Sequence, residues 1–211
     1  MFMINYVYLL FDMTTKECAL VDPSWEVSKI ENIIIDYGLK LKYILLTHSH
    51  FDHVNKAGYF SDKYGAKIVI SSDESVYYGF KHKNAVYIND NEILDIGDIQ
   101  IRCILCPGHS VGSMCYLCDK YLFSGDTLFA EGCGYCLGEG GDSHKMFFSI
   151  KKLKKILKPE TIIYSGHKFL YDIGMTFAEA MEHNIYLNID NENTFCNFRD
   201  RSNQNKIMDF K

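Results

Sequence analysis

The chain has 211 residues, which is enough for one sizeable hydrophobic core and short for two domains. Its apolar content of 47% and charged content of 23% are ordinary for a globular protein, and no apolar run reaches the roughly 18 residues that a transmembrane helix needs. The net charge of −5 argues against a nucleic-acid partner, because phosphate binding usually needs a basic surface. We therefore expect one cytoplasmic domain over residues 1–211, with neither a membrane nor a nucleic acid as partner.

Strands outnumber helices in the predicted order of elements. Residues 1–11 are apolar but lack a basic start, which favours a strand over a signal peptide. Asp142 or Ser143 can cap a helix that follows directly, and Thr176 can cap the last helix. The polar residues 190–211 show no clear periodicity, so we expect an extended tail packed on the domain. The predicted strands are 4–11, 17–22, 43–46, 67–71, 86–88, 92–95, 98–105, 113–118, 121–124 and 161–164, and the predicted helices are 26–37, 54–64, 144–158 and 176–187.

A short segment after the predicted strand 43–46 concentrates metal-ligand side chains. His48, His50, Asp52 and His53 lie in one window of six residues. Three imidazoles and a carboxylate at a strand end make a poor core and a good site for Zn²⁺ or Fe²⁺. One ion needs about four ligands, so this segment alone cannot enclose two ions. The remaining ligands should come from elsewhere in the chain.

Three other ligand residues follow short apolar strands in the same way. His109, Asp126 and His167 each come within four residues of the end of a predicted strand. A glycine directly precedes each of them and lets the backbone bend tightly, so that the next side chain can point into a site. Functional residues of α/β sheets usually lie at the carboxyl ends of strands. We expect these three residues to meet the histidine-rich segment there.

Together these motifs resemble the metallo-β-lactamase superfamily, and within it the glyoxalase II type. The resemblance implies an α/β (α+β) fold, an αββα sandwich of two mixed β-sheets with helices on the outer faces. It covers nearly the whole chain, and the motifs stand in the order that the superfamily uses. The segments that carry it are N-Y-V-Y-L-L (5–10), A-L-V-D-P (19–23), T-H-S-H-F-D-H (47–53), C-P-G-H-S (106–110), S-G-D-T-L-F (124–129) and S-G-H (165–167).

The resemblance also implies a ligand set for two divalent metal ions, either two zinc ions or zinc with iron or manganese at one site. His48, His50 and His109 would hold the first ion, Asp52, His53 and His167 the second, and Asp126 would bridge them. A metal-bound hydroxide would attack a thioester, whose thiolate leaves with little help from an acid. Asp52 and Asp126 thereby take catalytic as well as ligand roles.

Two alternative interpretations of the carboxylates, without a ligand role, stay open. Asp52 could orient a histidine instead of binding metal, and Asp126 could form a simple Asx turn. Several true β-lactamases of the superfamily carry a cysteine at the position of Asp126, so β-lactam hydrolysis is not expected as the main activity.

The substrate is less sharply indicated. The loop Tyr135-Cys136-Leu137 lacks the basic residue that glyoxalase II typically has there, so glutathione recognition is in doubt. Segments 138–142, 184–186 and 198–201 look more like the stand-alone hydrolases found with trans-acyltransferase polyketide synthases. These are thought to remove acyl groups from acyl-carrier proteins. We expect an acyl-carrier-protein thioester, with a hydroxyacylglutathione hydrolase as the main alternative and a non-catalytic metal or redox module as a third.

Four residues are candidates for substrate binding. Arg199 and Arg201 lie in the predicted tail and suit bidentate binding of a phosphate such as that of phosphopantetheine. Tyr135 and Glu139 lie in the loop after Asp126 and are expected at the pocket rim. The lysines of the predicted helix 144–158 are expected to form either a basic docking face or an ordinary solvated face, with Leu153, Ile156 and Leu157 turned inward.

Eight cysteines include three C-x-x-C pairs. Cys103/Cys106 and Cys115/Cys118 lie in segments with strand character, where residues three apart point to opposite faces and cannot chelate one ion. We expect buried free thiols there. Cys133/Cys136 lies in a loop, so a redox or metal role for that pair stays open.

Overall fold

Two five-stranded sheets form the centre of the molecule in the computed structural model, which describes residues 4–202. The first sheet contains β1 (Tyr8–Phe11), β2 (Glu17–Val21), β3 (Lys40–Leu45), β4 (Lys67–Ser71) and β5 (Ala85–Ile88) in this order. Only β1 and β2 pair antiparallel in it. The second sheet has the order β10-β9-β8-β7-β6, and only β9 and β10 pair parallel. Its strands are β6 (Ile93–Ile96), β7 (Ile99–Leu105), β8 (Met114–Cys118), β9 (Tyr121–Gly125) and β10 (Ile162–Ser165).

Helices cover the outer face of each sheet, which confirms the predicted αββα sandwich. The helices of the first half of the chain are α1 (Val27–Asp36), α2 (Phe51–Val54), α3 (Ala57–Tyr64) and α4 (Ser72–Tyr78). Those of the second half, up to residue 202, are α5 (Ser143–Ile156), α6 (Phe177–His183), α7 (Ile185–Asn188) and α8 (Glu192–Arg199). Within residues 4–202, no helix has both the length and the apolar character needed to cross a membrane.

Three apolar layers hold the sandwich together. The alternation of side chains along the strands sends one set between the sheets and the other set to the outer faces. Each large apolar side chain buried in this way contributes about 1.5–3 kcal/mol. The layer between the sheets includes Leu45, Val69, Ile101, Met114 and Tyr116; the layer under α1 and α3 includes Ile30, Ile34, Phe60 and Ile68; and the layer under α5 to α8 includes Met146, Ile150, Leu153, Tyr186 and Phe195.

Side-chain caps set the helix ends that the sequence indicated. The Asp142 carboxylate accepts a hydrogen bond from the backbone N–H of Lys145 at 3.0 Å and so begins α5. Thr176 and Glu179 form a reciprocal capping box at the start of α6. The predicted single helix 176–187 is interrupted at Asn184, whose side chain caps α7.

Two further parts of the chain differ from prediction. The extended tail expected over 190–211 is wrong for Glu192–Arg199, which forms α8 behind the cap residue Asn191, while residues 203–211 lie outside the described part of the chain. The helix α4 was not predicted. It begins where the hydroxyl of Ser71 accepts a hydrogen bond from the backbone N–H of Glu74 at 3.0 Å.

Candidate metal centre

The strand ends of both sheets meet at one edge of the sandwich. The backbone N–H of Met114 donates to the carbonyl of Thr47 at 2.7 Å, and the hydroxyl of Tyr116 donates to the carbonyl of Leu46 at 2.7 Å. These bonds join the end of β3 in the first sheet to β8 in the second. The segments that follow β3, β7, β9 and β10 therefore converge, and together with the short helix α2 they carry all seven predicted ligands: His48, His50, Asp52, His53, His109, Asp126 and His167.

Three histidines form the first candidate ligand group. One side-chain nitrogen from each of His48, His50 and His109 lies within 4.8 Å of the others. Nδ1 of His50 is 3.0 Å from Nε2 of His109. Nitrogens at this separation can share one tetrahedral ion with bonds of about 2.0–2.1 Å.

The second ligand group contains Asp52, His53 and His167, whose ligand atoms also lie within 4.8 Å of one another. Nε2 of His53 is 3.1 Å from Nε2 of His167, and Oδ2 of Asp52 is 3.4 Å from the latter. Asn5 donates to that same Asp52 oxygen at 3.0 Å and holds the carboxylate in place. The Asp52 carboxylate thus lies beside the two histidine nitrogens, and Asn5 holds it there.

Asp126 lies between the two groups. Its Oδ2 is 3.2 Å from Nε2 of His167 and 3.7 Å from Nε2 of His109, and its Oδ1 is 3.7 Å from Nε2 of His53. One carboxylate thus faces histidines of both groups, as a bridging ligand must. Gly166 makes room for it, because a Cβ there would lie 2.4 Å from Oδ1 of Asp126.

Partners on the far side of three rings fix which nitrogen faces the site. Nδ1 of His53 donates to Asp22 at 2.9 Å, and Nδ1 of His109 donates to the carbonyl of Tyr135 at 2.8 Å. The hydroxyl of Thr47 donates to Asp22 at 2.6 Å and accepts from Nδ1 of His48 at 3.0 Å. In each ring Nε2 is the nitrogen that faces the site and is available as a ligand atom. Sequence reasoning gave Asp22 no role, although it lies in the A-L-V-D-P segment directly after β2.

Unsatisfied atoms test whether these residues fit a metal ion. Nε2 of His48 and Oδ1 of Asp126 are buried and have no hydrogen-bond partner among residues 4–202. A buried polar atom without a partner costs about 1–3 kcal/mol. Both atoms face the cluster as electron-pair donors, so a divalent cation would satisfy them. The donor set of five imidazoles and two carboxylates fits zinc or iron.

Burial and neighbouring charges shift the pKa values of the ionisable groups of the site. Burial lowers the pKa of His48 well below its ordinary value and also lowers the pKa of His109, so both rings are neutral near pH 7. For His53, burial lowers the pKa but Asp126 and Asp22 outweigh it and raise the value to about 9. Burial raises the pKa of Asp126, whereas His167 and His53 pull it well below its usual range. Asp126 is therefore ionised, as a bridging ligand must be.

Arg199, predicted to contact a phosphate, is buried in this structure, and the phosphate contact stays a prediction that its burial disfavours. Its side chain is only 1% exposed, and its guanidinium lies 5.7 Å from the ring centroids of both Tyr135 and Tyr186. Arg201 is half-buried, with its guanidinium 4.0 Å from the ring of Phe198. Arg199 stands on the inner face of α8, because the helix that replaces the extended tail turns it toward the core.

The other two candidate substrate residues lie in the loop after β9. Tyr135 contributes its carbonyl to His109 and its ring to Arg199. Glu139 has an exposed side chain, and its carbonyl accepts a hydrogen bond from the hydroxyl of Tyr78 at 2.6 Å. A rim role for the Glu139 carboxylate stays a prediction.

The lysines of α5 fit an ordinary surface face better than a basic docking face. Lys151 pairs with Asp190, and Lys152 pairs with Asp90. Leu153 and Leu157 are buried and Ile156 packs against the same layer. The lysine-bearing face is thus largely engaged within the molecule.

All eight cysteines are buried free thiols. Cys103 and Cys118 lie between the sheets, whereas Cys106 and Cys115 lie under α5, so each strand pair does point to opposite faces. Burial raises the pKa of Cys133 to about 12 and that of Cys136 well above its usual value. Neutral buried thiols are poor redox nucleophiles and poor ligands.

Comparison with known proteins gives one family. The family described as "Metallo-beta-lactamase superfamily" matches residues 2–167 of the chain. The chain is 40% identical to "Probable polyketide biosynthesis zinc-dependent hydrolase PksB" of Bacillus subtilis and 41% identical to the protein of the same description, BaeB, of Bacillus velezensis. Each alignment spans 98% of this chain and 92% of the relative.

Two further similarities are weaker in sequence. A hydroxyacylglutathione hydrolase of Pelagibacter ubique is 29% identical, over 93% of both chains. The crystal structure of ETHE1 from Myxococcus xanthus superposes with a TM-score of 0.85 at 24% identity, over 94% of this chain and 86% of that one. At that identity the likeness supports the fold alone.

Proposed function

The chain is a hydrolase that belongs to the metallo-β-lactamase superfamily, and from this premise we propose that it cleaves an acyl thioester with the help of two divalent metal ions. Zinc is the metal named for the two Bacillus relatives, and it suits the histidine-rich donor set. Iron or manganese at one position is the alternative. The proposed ligands are His48, His50 and His109 for one ion, Asp52, His53 and His167 for the other, and Asp126 between them.

The chemistry divides between the ions and the chain. Bound ions of this kind act as Lewis acids that activate water and polarise a carbonyl group. Asp22, Thr47 and the carbonyl of Tyr135 keep the histidine rings in one tautomer and one orientation. The leaving group of a thioester is a thiolate, whose conjugate acid has a pKa of about 8.5, so it departs near neutral pH without a strong general acid.

An aromatic surface beside the ligand loop suits an organic acyl or thiol chain. Phe51 lies between two proposed ligands in sequence and is 71% exposed, and its ring lies 6.0 Å from that of Trp25, which is 49% exposed. Exposed aromatic pairs at a site commonly bind apolar groups. Phe51 and Trp25 are proposed to contact the substrate arm.

The single observation that carries the substrate class is the 40–41% identity, over nearly the whole chain, to two proteins named as polyketide biosynthesis hydrolases. In such biosynthesis the acyl groups are thioesters on the phosphopantetheine of acyl-carrier proteins, which we propose as substrate and partner. The relative named as a glutathione hydrolase is less similar, at 29%, and gives the second candidate. A redox module has no support, because the thiols are buried.

A hydrolysis screen with one acyl group on three carriers tests the proposal. The zinc-loaded protein is expected to show a kcat/KM at least about tenfold higher for the carrier-protein thioester than for the glutathione or coenzyme A thioester, which corresponds to about 1.4 kcal/mol. His167→Ala serves as the control for contaminating esterases. A preference for acyl-glutathione would favour the second candidate, and no turnover of any thioester would contradict the proposal.

A further inference from the structure

A buried carboxylate joins the two loops that carry the first ligand group. Glu74 in α4 has a relative exposure of 0%. Its Oε1 accepts hydrogen bonds from the backbone N–H and the hydroxyl of Ser49, both at 2.8 Å. Its Oε2 accepts from the hydroxyl of Ser110 and the backbone N–H of Gly112, both at 2.8 Å. Four donors thus use the acceptor capacity of one carboxylate.

The positions of these donors relate Glu74 to the metal ligands. Ser49 lies between His48 and His50, and Ser110 directly follows His109. One rigid carboxylate therefore sets the separation of two loops that have no covalent link near the site. Hydrogen bonds to an ionised acceptor are roughly twice as strong as neutral ones, and burial protects them from water.

The helix that carries Glu74 is itself seated on the His109 loop. The hydroxyl of Ser71 donates to the carbonyl of Gly112 at 2.7 Å and accepts from the backbone N–H of Glu74 at 3.0 Å. A Cβ on Gly112 would lie 2.2 Å from the Ser71 hydroxyl and 2.3 Å from the Glu74 nitrogen, so only glycine permits this contact. The first turn of α4 and the His109 loop form one packed unit.

We propose that Glu74 is a positioning residue that holds His48, His50 and His109 in the geometry needed to share one ion. The inference rests on the metal assignment of the proposed function. A variant without the carboxylate still has the three histidines, but the separation of their loops is no longer fixed. The expected consequence is weaker binding of the ion at this group, with less effect on the group of Asp52, His53 and His167.

Asp12 provides a matched control. It is also a buried carboxylate, 5% exposed, and it accepts from the backbone N–H groups of Thr14, Thr15 and Asp98 at 2.6, 2.9 and 2.8 Å. It therefore also ties two turns together. Asp12 follows β1 beside the start of β2, whereas the metal centre and Glu74 lie beyond the C-terminal ends of the parallel strands. The two carboxylates therefore lie at opposite ends of the strands of the first sheet.

The test compares Glu74→Gln, Asp12→Asn and the unchanged protein in zinc titrations against a chromophoric chelator, with urea unfolding of the metal-free proteins in parallel. Glu74→Gln is expected to weaken one of two zinc sites by about 10–100-fold and the other by less than about threefold, while Asp12→Asn stays within about threefold at both despite a comparable loss of stability. Equal zinc affinities of Glu74→Gln and the unchanged protein would overturn the inference.

Two milder variants keep the test decisive if Glu74→Gln does not fold. Ser49→Ala and Ser110→Ala each remove one hydroxyl donor to the carboxylate and should each weaken the same zinc site by a smaller factor. Unchanged zinc affinity in both would overturn the inference. If the unchanged protein binds no zinc, the result contradicts the proposed function itself. A difference between the variants is therefore interpreted only if the unchanged protein binds zinc.

Discussion

Replacing Arg199 by alanine is expected to lower the stability of the fold. It is not expected to weaken the binding of one class of substrate selectively. The guanidinium contacts the rings of Tyr135 and Tyr186 and donates to the hydroxyl of Tyr186 at 3.1 Å. Two buried cation–π contacts contribute about 1–2 kcal/mol in total, and a hydrogen bond from a charged donor about 1.5–3 kcal/mol. The free energy of unfolding should therefore fall by about 2.5–5 kcal/mol, a large part of the 5–15 kcal/mol typical of a domain.

The assay is urea unfolding followed by circular dichroism, with steady-state kinetics on the same samples. Arg201→Ala is the matched control, because its half-buried side chain rests on Phe198 and should cost about 1 kcal/mol or less. Unchanged stability of Arg199→Ala, together with a raised KM for a carrier-protein thioester alone, would refute this reasoning. It would place Arg199 at the substrate after all.

Three further predictions concern thiols, pH and a helix cap. A thiol reagent at about pH 8 should label none of the eight cysteines rapidly in the folded protein and all of them after unfolding; rapid labelling of two would restore a role for the Cys133/Cys136 pair. The hydrogen bond to Glu192 raises the pKa of His144, so this pair stabilises the fold below the unfolded-state pKa of about 6.5 and the effect is lost as pH rises through the folded pKa. His144→Asn should accordingly lower the Tm at about pH 5.5 and leave it unchanged at about pH 9, and a pH-independent difference would contradict this. Thr176→Ala should cost about 1 kcal/mol of unfolding free energy and Thr176→Ser much less, since serine keeps the capping hydroxyl; equal losses would argue against the cap.

The layers of the fold and the seven candidate ligands follow from local patterns. Each ligand lies after a short apolar strand, and strand ends in a sandwich meet at an edge, so sequence order and strand assignment bring them together. The helix α8 was not predicted from the sequence. Arg199 occupies a position on its inner face where an apolar residue would have shown helical periodicity. Its cap residue Asn191 was the available signal.

Residues that support the ligands were harder to foresee. Ser71 and Glu74 have the S-x-x-E spacing of a capping box, which could have indicated α4. The Glu74 carboxylate instead turns to Ser49 and Ser110, contacts between segments far apart in sequence that no local pattern encodes. Asp22 likewise acts on His53 across 31 positions.

The metal content of Asp126→Ala tests the central claim most directly. Asp126 faces histidines of both ligand groups, so its loss removes a shared ligand and its negative charge. Elemental analysis after dialysis should find close to two divalent ions per chain in the unchanged protein and at most one weakly held ion in Asp126→Ala, with thioester hydrolysis lost in parallel. Two tightly bound ions and full activity in Asp126→Ala would contradict the account.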